Sequence, residues 1–343
     1  MEPPPTPEKT IPLIDIRHTG PVGLVRQYDH LAKALLLSSR GAFGRVAEIA
    51  SYAAFPVGDF MARHWLEKTN NPYYSHIRDI AGIIGEPGIY ALNLSYEWGC
   101  TTGIEVGEES CQLLRTLDWP FPGLGEHLVV CRENGIAGDY YNITWPGLVG
   151  VFTAMAPSRF SLAINQAPVL QKTGNVVADW MLNRLGVKYH GGLPPAHLAR
   201  YVCEHAENYD KALEMLIHTP ICMPAIFTLT GIHPHEGCIV ERQEKEAYLR
   251  PLTSRGEPLS TANHWVVTPT ALPWKPREPD SYGRKGQMDS HLESGEQQED
   301  FAWLEFPVLN DYTRLATVMN AATGTIRLQG FAGKDPCTAL FVL

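Results

Sequence analysis

The sequence predicts an α+β fold, on the evidence of patterns that occupy consecutive parts of the chain. Apolar residues recur at helical spacing over residues 22–84, and the period then changes to two, as in strands, over residues 90–165. Helical spacing returns over residues 176–218, and strand patterns resume at residue 225. Helices and strands thus come in blocks and do not alternate singly, which favours α+β over a doubly wound parallel sheet.

The predicted helices form two groups. The first group covers residues 22–39, 43–54, 59–68 and 76–84, and Gly85 and Pro87 end the last of these. The second group covers residues 176–185, 196–207 and 210–218. Pro194 and Pro195 suit the start of the middle helix, because proline is tolerated in a first helical turn.

The predicted strands begin at the change of period. Residues 90–98 predict a strand that leads to Gly99. The other strands are predicted at residues 101–106, 112–119, 127–132, 139–144, 148–154, 160–165, 225–231, 237–242, 265–268, 314–319 and 326–329. Residues 107–110 predict a hairpin turn, and residues 11–17 a short strand that its proline confines to a sheet edge. The polar residues 276–299 predict a surface loop.

These patterns divide the chain into three parts. Residues 1–20 are a proline-rich lead that we expect to be disordered coil outside the short edge strand. Residues 21–99 form a helical segment that ends in a strand, and residues 100–343 form a sheet-rich domain. The lead lacks the basic start and apolar centre of a signal peptide.

Composition and charge restrict the function classes. The 343 residues are 44% hydrophobic and 19% charged, which is ordinary for a globular protein. A net charge of −9 without a basic run argues against a nucleic-acid partner. No apolar run reaches the roughly 18 residues that a transmembrane helix needs. The seven cysteines have no paired spacing, which predicts free thiols and a cytoplasmic location.

A cysteine at the junction between the helical and sheet-rich parts is the strongest candidate for chemistry. Cys100 follows Gly99 in residues 95–103, and Arg115 and Asp118 lie on the next predicted strand. One interpretation is a buried core thiol, since free cysteines are often buried and inert. The other is a nucleophile, which requires a group that takes the thiol proton.

Further stretches accompany this cysteine in a characteristic order. They are residues 115–119, 149–152, 160–165, 236–240 and 263–265, with Arg284 beyond them. Together with residues 95–103 they resemble the acid ceramidases and the N-acylethanolamine-hydrolysing acid amidases, which are N-terminal-nucleophile hydrolases. The resemblance covers about residues 11–330. It implies a four-layer αββα sandwich of two antiparallel sheets, and an amidase that hydrolyses linear N-acyl amides without a cofactor or a metal.

The resemblance also implies roles for individual residues. Self-cleavage between Gly99 and Cys100 would free the Cys100 α-amine as the base for its own thiol, and the two fragments would stay associated. Arg115 would lower the pKa of that amine below the usual 7.7 to 8.0, and Asp118 would hold it. Asn263 stands at the position of the oxyanion donor. The residues expected at the substrate site are Asn165, Gln166, His264 and Arg284.

Two features of the sequence affect the predicted site: the spacing of Arg115 and Asp118, and the residue at position 166. Residues three apart on a regular strand point to opposite faces, so Arg115 and Asp118 both face Cys100 only through a bulge or at a strand end, as Pro120 permits. Gln166 stands where the acid amidases carry a glutamate that is thought to assist self-cleavage. We therefore expect slow or incomplete processing.

Other interpretations stay open. Cys100 could pair with His127 or His264 in a thiol hydrolase or acyltransferase that needs no processing, or the chain could be a catalytically silent scaffold. The motif His233-Pro234-His235-Glu236 superficially resembles that of metal-dependent amidohydrolases, but zinc would need further ligands, and the block pattern does not predict a parallel barrel. A turn before the strand at residues 237–242 is the simpler interpretation of this motif.

Overall fold

The structure is a computed structural model of the chain. It describes residues 9–343 except 42–44, 95–97, 176–178, 180–181, 184–185, 188–190, 254–256, 270–272, 277–278 and 296–300. The first eight residues of the predicted lead and most of the helix predicted at residues 176–185 lie outside the described residues. The helices in the described part are too short or too polar to cross a bilayer.

The helices with both bounds in the described part lie before residue 94, around residue 205 and near residue 290. They are α1 Gly20–Gln27, α2 Asp29–Gly41, α3 Arg45–Lys68, α4 Tyr74–Ile84, α5 Ile89–Asn93, α6 Pro195–His205, α7 Tyr209–His218 and α8 Ser281–Ser294. The predictions at residues 76–84, 196–207 and 210–218 are confirmed, whereas the one at residues 22–39 covers both α1 and α2. The predictions at residues 43–54 and 59–68 form one helix, α3, which continues through Pro56.

The strands lie before, between and after these helices. They are β1 Leu13–Asp15, β2 Gly99–Val106, β3 Cys111–Asp118, β4 Val129–Gly135, β5 Gly138–Thr144, β6 Thr153–Ala156, β7 Phe160–Gln166, β8 Val169–Leu170, β9 Ala225–Thr230, β10 Gly237–Arg242, β11 Ala247–Pro251, β12 Leu259–Thr261, β13 Trp274–Lys275, β14 Thr313–Asn320, β15 Thr325–Ala332, β16 Asp335–Pro336 and β17 Phe341–Val342. The predicted edge strand in residues 11–17 is therefore present as β1, so residues 13–15 of the lead are ordered.

Two large sheets carry the fold. The first has the strand order β1-β4-β5-β6-β7-β9-β10-β11, and β1 pairs with β4 in parallel whereas the other pairs are antiparallel. The second has the order β12-β2-β3-β14-β15-β16, with β17 also paired to β15, and its pairs are antiparallel. Strands β8 and β13 form a separate pair.

The two sheets pack face to face and helices cover them. Strands β2, β3 and β14 contact β7 and β9, α6 packs on β4, β5 and β7, and α7 packs on β9 and β10. Helix α8 packs on β2 and β12, and α1 to α5 pack on one another at one side. This arrangement is the predicted αββα sandwich, and the β2 strand that carries Cys100 lies inside it.

Two predicted strands are wrong because their apolar residues serve other packing. Residues 90–93 belong to the helix α5, whose residues Ile89, Tyr90 and Leu92 are buried, and residues 95–97 lie outside the described residues. In residues 148–154 the strand begins only at Thr153, since the Val149 N–H donates to Asn93 Oδ1 (2.8 Å) instead of a ladder partner.

Two further predictions fail near the end of the chain. Residues 266–268 are bends and Trp265 has no regular structure, and the strand in this region is the earlier β12. The predicted loop at residues 276–299 contains helix α8, which Asp280 caps by accepting the Gly283 N–H (2.9 Å). Its Met288 is buried against β2, so one packed face suffices to form a helix from a polar sequence.

Candidate active site

Cys100 is fully buried on β2, and the pairing with β3 determines what lies beside it. Gly99 pairs with Asp118 and Cys100 with Leu117. Because side chains alternate across a sheet, Cys100 and Arg115 share the face toward the first sheet, which we call the inner face. Gly99 and Asp118 share the opposite face, toward α8, which we call the outer face.

The expected convergence of Arg115 and Asp118 on the Cys100 thiol is therefore wrong in its geometry. An irregularity does lie beside Asp118, but it is on β14, between Thr313 and Leu315, and β3 itself pairs regularly with β2. The alternation of the strand is preserved, so the two side chains act on opposite faces.

The inner face brings the thiol to a guanidinium. Arg115 donates from Nη2 to Cys100 Sγ (3.3 Å) and from Nη1 to Asn165 Oδ1 (3.1 Å). The thiol lies 3.7 Å from the Ile164 carbonyl oxygen, which can accept its proton in a hydrogen bond. Asn165 in turn donates to the Ala262 carbonyl (3.0 Å), so β7 links the thiol site to the segment that precedes Asn263.

The outer face carries a buried ion pair. Arg284, on α8, donates from Nη1 to the Cys100 carbonyl and to Thr101 Oγ1 (3.0 Å), and this nitrogen lies 3.6 Å from Asp118 Oδ2. Asp118 Oδ1 accepts from Thr313 Oγ1 (2.9 Å). Arg284 is thus fully buried beneath the bond between Gly99 and Cys100, and it lies on a helix and not in the predicted surface loop.

Asn263 follows β12 and contacts both the backbone of β2 and Arg284. Its Oδ1 accepts the Cys100 N–H (2.8 Å) and Arg284 Nη2–H (2.9 Å), and its Nδ2 donates to the Gln166 carbonyl (2.8 Å). Two donors beside the oxygen and an acceptor beside the nitrogen fix the orientation of this amide. Asn263 therefore holds the Cys100 nitrogen through its oxygen.

Gln166, at the end of β7, is buried and accepts the Trp98 N–H at its Oε1 (3.0 Å). A glutamate oxygen would accept the same hydrogen bond, so the exchange of glutamate for glutamine keeps this contact. Trp98 is anchored as well by edge contacts with Phe152 and Trp119, at ring-centroid distances of 4.7 and 5.5 Å. The chain before Gly99 thus enters β2 from a fixed point.

The histidines of the predicted alternatives lie away from the thiol. His264 Nδ1 is 2.7 Å from Ser281 Oγ, and its ring packs on Tyr282 at a centroid distance of 4.1 Å. His127 ends the 3₁₀ helix Leu124–His127. Among the described residues, no histidine is within hydrogen-bond distance of Cys100.

The motif at residues 233–236 forms an exposed turn before β10. The rings of His233 and His235 stack at 5.7 Å, and Glu236 Oε2 accepts the His233 N–H (3.1 Å). In the part of the chain that the structure describes, no group of three or more His, Cys, Asp or Glu residues is arranged to hold a metal ion. The turn interpretation of this motif is confirmed.

Burial dominates the electrostatics of the site. It raises the pKa of the Cys100 thiol to about 11, against the opposing effect of Arg115. Burial also raises the pKa of Asp118, which Arg284 opposes, and lowers the pKa of His264 to about 4. In the uncut chain the thiol is therefore protonated at neutral pH, and attack requires a base.

Ser281 contributes to this geometry and was missed in the sequence. Its Oγ accepts the Asn263 N–H (2.8 Å), which fastens the segment around Asn263 to the first turn of α8. The signal that could have revealed it is the Asp280 cap, which marks a helix start one residue before Ser281.

Comparison with known proteins gives matches to acid ceramidases and to N-acylethanolamine-hydrolysing acid amidases. Human acid ceramidase is 32% identical over 104 residues, which cover 30% of this chain and 25% of that protein. The N-acylethanolamine-hydrolysing acid amidase of Cavia porcellus is 25% identical over 270 residues, which cover 74% of this chain and 71% of that protein. No protein-family model matches the chain.

A solved structure shares the fold. The Caenorhabditis elegans orthologue of N-acylethanolamine-hydrolysing acid amidase superposes with a TM-score of 0.52 at 17% identity, covering 71% of this chain and 99% of that one. The matched regions span about a quarter and about half of the length of the human and rat acid ceramidases. The αββα sandwich of this chain is thus the fold of that amidase orthologue.

Proposed function

We propose that this chain, a homologue of the acid ceramidases and the N-acylethanolamine-hydrolysing acid amidases, is a cysteine amidase that hydrolyses linear N-acyl amides. Cys100 is the nucleophile, and its α-amine, freed by self-cleavage, is the base. The names of the relatives describe ceramide and N-acylethanolamine hydrolysis, which supports an acyl amide as the substrate class.

The observation that carries the proposal is that the thiol and the nitrogen of Cys100 each have a buried partner. Arg115 lies 3.3 Å from Sγ, and Asn263 Oδ1 lies 2.8 Å from the nitrogen. A thiol that used a histidine would need no side chain on its own backbone nitrogen. An α-amine, in contrast, needs an acceptor that orients its lone pair toward the thiol.

Self-cleavage follows from the same arrangement. Cys100 Sγ attacks the Gly99 carbonyl carbon, a thioester forms, the C–N bond breaks and the nitrogen takes the thiol proton. Water then hydrolyses the thioester, which leaves a Gly99 carboxylate and a free Cys100 amine and thiol. The outer-face pair lies next to the residue whose carbonyl is attacked. A Cβ added at Gly99 would be 3.5 Å from Asp118 Oδ2 and 3.6 Å from Arg284 Nη2, so both charged groups are close enough to assist this step.

These distances do not require a glycine at residue 99. Contacts of 3.4 to 3.6 Å are ordinary van der Waals separations, so alanine would fit at residue 99.

In turnover, the Cys100 amine takes the thiol proton and the thiolate attacks the acyl carbonyl of the substrate. The substrate C–N bond breaks, the leaving amine takes that proton, and water then hydrolyses the thioester to release the acid and the free thiol. An α-amine has a pKa of about 7.7 to 8.0, and the nearby guanidinium group of Arg115 lowers it toward neutrality. Asn263 retains one Nδ2 hydrogen beyond the one on the Gln166 carbonyl, which is available to the oxyanion.

Contacts across the scissile bond support association of the two fragments. Residues before Gly99 supply β1 to the first sheet, where it pairs with β4. Asn93 donates to the Gly147 carbonyl (2.9 Å) and accepts from Val149 N–H (2.8 Å). We also place the protein in the cytoplasm, which the scattered cysteines of the sequence support.

Intact-mass spectrometry under denaturing conditions tests the proposal. Freshly purified protein, incubated at pH 4 to 8, should separate into residues 1–99 and 100–343, while a Cys100→Ala chain keeps its full mass. Amide hydrolysis, screened over fatty acyl ethanolamides, ceramides, acyl amino acids, bile salts and penicillin V, should rise with the cut fraction. Full activity in a wholly uncut chain would overturn the terminal-amine mechanism.

A further inference from the structure

The segment that presents Asn263 to Cys100 has no regular structure of its own. It comprises residues 262–268, and we call it the Asn263 loop. After β12 ends at Thr261, the loop makes bends, and the side chains of Val266 and Val267 are each 44% exposed. Apolar burial therefore does little to hold the end of this loop in place, and polar contacts must do so.

A single carboxylate binds that end. Glu241, on β10 and fully buried, accepts the Val266 N–H at Oε1 (2.9 Å) and the Thr268 N–H at Oε2 (2.9 Å). The Val267 N–H lies 3.2 Å from Oε2, and Thr268 Oγ1 donates to the same oxygen (2.6 Å). Successive backbone N–H groups around one carboxylate form an anion nest, and hydrogen bonds to a charged acceptor are among the stronger ones in proteins.

Resting on the function proposed above, we propose that Glu241 is a positioning residue for Asn263. It does not touch Cys100. It fixes the end of the Asn263 loop, and thereby keeps Asn263 Oδ1 on the nitrogen that becomes the catalytic amine.

Other anchors show why the end of the loop matters. Arg250 Nη1 donates to the Ser260 carbonyl (2.9 Å) on β12, just before the loop, and Ser281 Oγ accepts the Asn263 N–H (2.8 Å) near the start of the loop. Glu241 supplies the third anchor. Without it, and counting contacts among the described residues, the five residues after Asn263 would be tied to the sandwich only through the His264 contact with Ser281 and side-chain packing.

A double-mutant cycle distinguishes positioning from general stability. Glu241→Ala should lower kcat by up to about a hundredfold with little change in KM, because displacing a catalytic group by about 1 Å costs that much. Glu241→Gln, which keeps one acceptor oxygen, should lie between this variant and wild type. In an Asn263→Ala background, Glu241→Ala should have almost no further effect, since the group it positions is gone.

The matched control is Glu246→Gln, on the same hairpin. Glu246 is exposed and accepts a hydrogen bond from Tyr248 Oη, so its loss should leave kcat unchanged. Full additivity of Glu241→Ala with Asn263→Ala would overturn the positioning role. If Glu241→Ala does not fold, Glu241→Gln serves in the same cycle.

A second experiment, hydrogen exchange, does not depend on enzyme activity. In the uncut Cys100→Ala chain, Glu241→Gln should speed hydrogen exchange in peptides spanning residues 263–269 and in those spanning residues 98–103, where the residue 100 N–H donates to Asn263. Faster exchange in the peptides spanning residues 263–269 alone would show that Glu241 does not act on the Cys100 backbone through Asn263, and would overturn the proposal. If the wild type neither cuts itself nor hydrolyses amides, the proposed function fails, and this experiment still decides the role of Glu241.

Discussion

The two faces of β2 around Cys100 differ in charge. On the inner face, Arg115 meets a thiol and the neutral amide of Asn165, and among the described residues no carboxylate lies within ion-pair distance of its guanidinium. On the outer face, the guanidinium of Arg284 faces the carboxylate of Asp118. On the inner face the charge of Arg115 therefore opposes the effect of burial on the thiol, whereas the outer face is close to neutral as a unit.

This difference suggests that the two faces contribute differently to the two proposed reactions of Cys100. In the proposed mechanism the thiol acts in both self-cleavage and substrate hydrolysis, so a change on the inner face should slow both reactions. The outer-face pair lies beside Gly99, which would become the C-terminal residue of the first fragment. A change there should act mainly on self-cleavage. The following predictions test this separation.

The largest effect is expected for Cys100→Ala, which removes the group that both faces serve. Self-cleavage and amide hydrolysis should both fall by on the order of 10⁴-fold or more, as for loss of a covalent nucleophile elsewhere. Intact mass and a hydrolysis assay measure this. Cys131→Ala and Cys238→Ala are the controls, since both thiols are buried away from the site; equal inactivity of either folded control would contradict the assignment of the nucleophile.

Arg115→Met tests the inner face. Removing the cation beside Sγ, while keeping similar volume, should slow self-cleavage and hydrolysis alike, each by about 10²- to 10³-fold. Initial rates and the time course of the cut give the two numbers. Arg132→Met, at a partly exposed position on β4, should behave as wild type. Loss of one reaction with the other intact would contradict the expectation that the inner face serves both reactions.

Asp118→Asn tests the outer face with little change in shape. Thr313 Oγ1 can still donate to the amide oxygen, but the negative charge beside Gly99 is gone. We expect self-cleavage to slow by about a hundredfold, the scale of a lost acid–base or electrostatic group, and hydrolysis per mole of cut chain to change much less. Asp311→Asn, an exposed position, is the control. Equal losses in both reactions would mean that Asp118 also serves the thiol.

The smallest effect concerns pH and the neighbourhood of Asn263. Burial lowers the pKa of His264 from 6.5 to about 4, so the folded chain keeps this ring neutral while the unfolded chain takes up a proton below pH 6.5. The free energy of unfolding should therefore fall as pH drops from about 6.5 toward 4. Buried His197, with a pKa lowered to about 3, adds to the same trend.

Denaturant unfolding of the uncut Cys100→Ala chain at several pH values measures that fall. Adding His264→Asn should make it shallower, because the ring that resists protonation is absent, and His235→Asn, at an exposed position, should not. An unchanged slope with His264→Asn would show that the proton uptake lies at other groups.

Much of the sandwich was predictable because strand alternation is a local property. The bounds of β10 match the prediction at residues 237–242, and the turn at residues 107–110 lies between β2 and β3 as expected. The same alternation already required Arg115 and Asp118 to point to opposite faces. For the site, the sequence identified Cys100, Arg115, Asp118 and Asn263 as candidates, and the structure brings them to one short stretch of β2.

Tertiary packing alone decided which residues meet. Arg284 belongs to a polar stretch that predicts a loop, yet α8 forms because Met288 packs on β2, and this buries the guanidinium beneath Cys100. Glu241 reaches the Asn263 loop from β10, and no local pattern in the sequence marks it. Periodicity in a sequence reports which side of an element is apolar, whereas contacts between residues more than a hundred positions apart depend on how the elements pack.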